Sequence, residues 1–212
     1  IDLTSTSGNF STANGSTIVA GTGGNISYVA SSTSTITTQA DATTAVFQTS
    51  GDGNVTLTTA GAAITLGDFA ITAATGNIAI NAGASTINAD SADADIEIRA
   101  GGGNLTFTGT TIGATSVIDV NNTAASNSGA LTVNVTGTTT GQAVNVEVET
   151  AVSFSDVVIN QTNSDGLINI KLGSDGDLVD LNNVAGEAVI NSVILTNEDA
   201  CLLYTSDAAD ES

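Results

Sequence analysis

The sequence predicts an all-β chain wound into a β-solenoid, and three observations carry that prediction. One short phrase recurs: GNFST from Gly8, GNISY from Gly24, GNVTL from Gly53, GNIAI from Gly76 and GNLTF from Gly103. Apolar residues fall nine apart at Ile78, Ile87, Ile96 and Leu105, and Val55 and Ile64 share the interval. No segment shows sustained helical periodicity and helix formers are scarce, so essentially no helix is expected.

Each phrase reads as a turn followed by a strand. Gly and Asn tolerate the positive φ of a tight corner, and two apolar residues one apart then face the same side. Successive phrases start 16, 29, 23 and 27 residues apart, so each unit must stack on its neighbours to bury its apolar face. Nine residues fit one strand plus one corner. Two or three such faces would close a coil, and the spacing of 23 to 27 favours three.

Residues 1–50 are rich in Ser, Thr, Gly and Ala, with apolar marks at Ile18 and Val19, Ile26 and Tyr28, Ile36, then Val46 and Phe47. A flexible Gly/Ser linker would lack these recurring residues, so degenerate coils are expected here. From 53 to 107 the rhythm tightens. Asp93 to Ala100 alternates strictly, placing Ala94, Ile96, Ile98 and Ala100 on one face and the charges on the other. After Thr110 the strands lengthen, at 117–120, 131–135, 144–148, 152–159, 167–172, 178–181 and 189–195. Residues 1–112 thus form the phrase-bearing solenoid. Residues 113–200 either continue it with wider faces, the preferred reading, or begin a β-sandwich-like subdomain.

Composition bounds the function. Apolar residues make up 41% of the chain but aromatics only 3%, and there is no Pro, Met, Trp or His. Branched aliphatics suit narrow stacked layers. Twenty-two acids against Arg99 and Lys171 give a net charge of −20, which repels nucleic acid and anionic membrane surfaces. No apolar run is long enough to span a bilayer. A Thr, Ser and Asn surface with few charges points to a secreted or cell-surface polypeptide.

The tail, Cys201 to Ser212, breaks these habits and holds the single Cys. Residues 201–211 resemble the translation of a transposase mosaic end running into a sequencing adapter, which makes residues 201–212 a non-native segment to leave out of fold reasoning. The natural chain would then lack cysteine, and an internal slice of something longer is expected.

The wording of residues 53 to 89, GNVTLTTAGAAITLGDFAITAATGNIAINAGASTINA, resembles the repeats of filamentous haemagglutinin-type adhesins and the broader class of bacterial β-strand-repeat surface proteins. The resemblance covers residues 8 to about 112 well and the rest loosely. It implies a right-handed parallel β-helix forming the shaft of a large exported bacterial adhesin. Surface glycans or proteins of hosts or the environment would be its partners. Such repeats name no receptor, and an exposed solenoid end would favour self-association.

Chemistry is thinly provided. A Ser triad lacks its base, so no catalytic set is assigned and the chain is not expected to be an enzyme. Asp93, Asp95 and Glu97 beside Arg99 could serve as an acid/base pair of a carbohydrate-active β-helix, a polysaccharide lyase or hydrolase; the plainer reading is a solvated strand face. Asp175, Asp177 and Asp180, in GSDGDLVD from Gly173, are calcium candidates because the stretch resembles part of a calcium-binding β-helix coil. Here the chain would be a calcium-dependent surface-layer or repeat protein; otherwise the stretch is an Asp/Gly turn. Thr-x-Thr pairs at Thr33 and Thr35, Thr35 and Thr37, Thr56 and Thr58, and Thr106 and Thr108 raise ice binding, though intervening repeats lack them. A calcium coil predicts that millimolar calcium raises the unfolding midpoint of residues 1–200, followed by circular dichroism, beyond the rise at matched ionic strength, and that EDTA reverses it.

Overall fold

The computed structural model describes residues 1–13, 15–38, 46–67, 69–89, 96–100, 103–113, 118–121, 129–136, 142–148, 153–154, 157–161, 167–172, 189–190 and 193–197. Among them there is no helix, and the strands follow the solenoid rhythm. The first coil holds β1 (Asp2–Ser5), β2 (Phe10–Ser11) and β3 (Ile18–Ala20); the second, β4 (Ile26–Ala30), β5 (Ile36–Thr37) and β6 (Phe47–Thr49). The third holds β7 (Val55–Thr59), β8 (Ile64–Leu66) and β9 (Phe69–Ala73), and the fourth β10 (Ile78–Asn81), β11 (Thr86–Ala89) and β12 (Ile96–Ala100). In the fifth are β13 (Leu105–Gly109), β14 (Thr111–Ile112) and β15 (Ile118–Asn121). Beyond it come β16 (Leu131–Val135), β17 (Gln142–Val148), β18 (Ser153–Phe154), β19 (Val157–Gln161), β20 (Leu167–Leu172), β21 (Val189–Ile190) and β22 (Val193–Asn197).

Every third strand pairs in parallel. β1, β4, β7, β10, β13, β16, β19 and β22 form one eight-stranded sheet, so a single ladder runs from residue 2 to residue 197. It crosses residue 113 without a break. Continuation in parallel is what a solenoid with wider faces requires, whereas a β-sandwich is built of antiparallel strands. The chain is an all-β parallel β-helix. The nine-residue interval now has a geometric meaning: Ile78, Ile87, Ile96 and Leu105 stand on β10, β11, β12 and β13, one per face and back to the first.

The other two faces share a twelve-stranded sheet, because β17 pairs with β14 at Val144 and with β15 from Val146 to Val148. Up to the fifth coil these faces carry separate short strands. At β17 one continuous strand spans both, and β20 repeats the long strand against it. The lengthening after residue 113 is therefore a merger of two faces. Where one strand is expected over 152–159, two are found, β18 and β19, on different sheets.

Inside, apolar side chains stack in register. Tyr28, Leu57, Ile80, Phe107 and Val133 form one column; Ile36, Ile64, Ile87, Ile112 and Val144 form another. Nearly all are sealed from solvent, Tyr28 at 3% being the most exposed. Alternation of buried and half-buried residues along β7, β13 and β16 is the period-2 signal of a sheet with one face in the core. The buried hydroxyls of Thr38, Thr49 and Thr59 lie where strands end and are paired there: Thr49 Oγ1 donates to the Gly53 carbonyl at 2.7 Å, and Thr38 Oγ1 accepts from the Gly67 amide at 2.6 Å. Thr59 Oγ1 donates to the Ala62 carbonyl. These bonds close corners; Thr72 Oγ1, Asn88 Oδ1 and Thr111 Oγ1, within strands, are buried with no hydrogen-bond partner.

Phe107 is fully buried between Ile80 and Val133 in the ladder. Phe107→Ala should lower unfolding free energy by about 3–5 kcal/mol, read from urea titration by circular dichroism. Thr106→Ala, one residue away on the outer side, should stay within about 0.5 kcal/mol.

Candidate functional site

The recurring phrase builds a ladder on one corner of the solenoid. Gly24, Gly53, Gly76, Gly103 and Gly129 sit above one another, and a Cβ on any of the last four would fall within 3.0 Å of the carbonyl oxygen of the glycine one coil before. Close backbone approach, rather than positive φ, excludes a side chain here. This corrects the sequence-based expectation. The positive φ lies just upstream, at Gly23 (72°) and Gly51 (65°).

The Asn that follows each of the first four glycines acts as an external peptide group. Asn54 N–H donates to Asn25 Oδ1 at 2.9 Å, Asn77 N–H to Asn54 Oδ1 at 2.7 Å, and Asn104 N–H to Asn77 Oδ1 at 2.9 Å. The carboxamides also relay: Asn54 Nδ2 reaches Asn25 Oδ1 and Asn77 Nδ2 reaches Asn54 Oδ1, both at 3.1 Å. At the next coil Ala130 donates its amide to Asn104 Oδ1 at 2.8 Å but has no carboxamide to pass on. The side chains of Asn54 and Asn104 are thus engaged in coil stacking.

The phrase at Gly8 is a different case. Gly8 has φ 97°, and Asn9 precedes β2 on the second face, where its Oδ1 accepts from the Thr35 amide at 3.1 Å. The odd first interval of 16 residues is the step from one corner to another.

The outer side of the eight-stranded sheet carries two straight columns. One reads Ser27, Thr56, Ala79, Thr106, Thr132 and Val158; the other Val29, Thr58, Asn81, Thr108, Asn134 and Asn160. None is charged. Asn160 Nδ2 donates to Asn134 Oδ1 at 2.8 Å, and Asn134 Nδ2 to Thr108 Oγ1 at 3.2 Å, so polar groups pair within the face. Thr56 with Thr58 and Thr106 with Thr108 fall in these columns, separated by Ala79 and Asn81. Thr37 lies on the second face instead. The threonine ranks are interrupted.

The calcium candidates Asp175, Asp177 and Asp180 lie outside the described residues, as do Asp93 and Asp95. Glu97 and Arg99 stand on β12, opposite Asp119 and Asn121 of β15; Glu147 and Lys171 continue the Glu97 column. Among the described residues no three His, Cys, Asp or Glu side chains group so as to hold a metal ion, and no helix is long and apolar enough to cross a membrane. Comparison with protein-family models, curated proteins and solved structures finds no match to the chain.

Gly76→Ala should destabilise by more than the ~1 kcal/mol typical of point substitutions, because backbone rather than a movable side chain occupies the space. Asn77→Ala should cost about 0.5–1.5 kcal/mol by removing the acceptor of the exposed Asn104 amide, with faster hydrogen exchange at that amide as the local readout.

Proposed function

We propose that this chain is a stalk segment of a large secreted bacterial surface protein, a structural and adhesive element in attachment of cells to surfaces or to one another. The supporting observation is the unbroken eight-stranded parallel ladder. Each coil offers the next the same corner and the same aliphatic layer, so length grows by about 4.8 Å per coil. A shaft of this kind projects and spans, and its Thr, Asn and Ser outer face suits an exported protein. Surface glycans or proteins are the proposed partners.

Beads coated with residues 1–200 should attach to bacterial or host cells and to glycan-coated surfaces more than beads bearing a heat-unfolded, alkylated control. Equal attachment would remove the adhesive part of the proposal. A rod in electron micrographs would still support the stalk.

A further inference from the structure

We infer that Thr136 is a clasp that reaches over the fifth coil and fastens the sixth coil to the fourth, guarding both interfaces between them. In a solenoid each coil touches only its neighbours, and positions in line on alternate coils stand about 9.6 Å apart. Yet Thr136 Oγ1 donates to the Gly83 carbonyl at 2.8 Å, across 53 residues of sequence. The ladder places the two in line: Asn81 pairs with Thr108 and Thr108 with Asn134, and Gly83 and Thr136 each lie two residues further on. The corner asparagines and the bond from Asn160 to Asn134, by contrast, join adjacent coils.

The fifth coil gives way at this point. From the inward residue of the first face to that of the second, Leu57 to Ile64 and Ile80 to Ile87 each take seven residues, but Phe107 to Ile112 takes five. Its corner is cut short. Thr110, the residue in line with Gly83, donates its amide to the Ser85 carbonyl at 2.7 Å instead. Gly109 makes the tuck possible, since a Cβ there would fall 2.9 Å from that same carbonyl oxygen. The sixth coil runs long, eleven residues from Val133 to Val144, and its Thr136 closes over the shortened corner.

Both ends of the bond are held. Asn81 Oδ1 accepts from the Gly83 amide at 2.8 Å, a two-residue side-chain turn with Gly83 at φ 57° that presents its carbonyl. Thr136 is anchored by its own amide, which donates to the Gly109 carbonyl at 2.9 Å. One residue therefore grips the fifth coil by its backbone and the fourth by its side chain. Parting the fourth coil from the fifth, or the fifth from the sixth, breaks the same bond. The clasp stands where the solenoid changes section, because the sixth coil is the first in which one strand, β17, spans two faces. This inference is independent of what the shaft attaches to.

A double-mutant cycle on the full chain, with unfolding in urea followed by circular dichroism, tests it. Thr136→Val removes the hydroxyl but keeps the branched shape, and should raise the unfolding equilibrium constant about three- to tenfold. Thr136→Ser, which keeps the donor, should recover most of that loss. Asn81→Ala releases the Gly83 turn, and in that background Thr136→Val should change the constant by less than about twofold. Asn81→Gln serves if the alanine variant does not fold. Thr132→Val, also on the sixth coil, should be additive with the Asn81 substitution. Equal effects of Thr136→Val in the two backgrounds would overturn the inference, because alternate coils of a nearest-neighbour stack are energetically independent. So would an unchanged constant on Thr136→Val alone.

Discussion

The structure depends on one spacing: successive coils must approach at their corners as closely as strands do in a sheet. Strands pair about 4.8 Å apart, and a corner that could not come equally close would pry the ladder open beside it. Glycine at positions 24, 53, 76, 103 and 129 permits that approach, because the carbonyl of one coil occupies the space a Cβ of the next would fill. The asparagine beside it compensates. Where the chain turns, its amide has no strand partner, and the carboxamide of the previous coil supplies the missing acceptor. Glycine and asparagine are two halves of one solution, which is why they recur together.

From that corner the rest follows outward. Once corners are in register, alternation sends Leu57, Ile80, Phe107 and Val133 inward and Thr56, Thr58, Thr106 and Thr108 outward. The core is a stack of thin layers, each closed by the next coil. The buried hydroxyls of Thr38, Thr49 and Thr59 sit where a strand ends and backbone groups need partners.

The architecture was legible because strand-plus-corner has a nearly fixed length, so a nine-residue apolar interval and a 23- to 27-residue phrase interval both survive in the linear chain. The role of the glycines was not. Positive φ and close approach both demand glycine, and only the neighbouring coil, 23 to 29 residues away, distinguishes them. Gly8 opens the same phrase as Gly24 but turns a different corner. The merger at β17 was visible only as longer strands, since nothing in Gln142 to Val148 announces that two earlier faces meet there. The neutral outer face needed register as well: Ala79 is ordinary until it stands between Thr56 and Thr106. Asp175, Asp177 and Asp180 lie outside the described residues, so the calcium reading rests on their sequence alone.

The orientation of the ladder bonds has a mechanical consequence. Hydrogen bonds between coils run along the solenoid axis, so tension applied at the two ends loads them one coil at a time, as in opening a zipper. Each coil set free surrenders a chain of 23 to 36 residues, about 75–130 Å of slack in place of about 5 Å of shaft. Such a rod resists bending while intact and, when overloaded, lengthens stepwise rather than snapping.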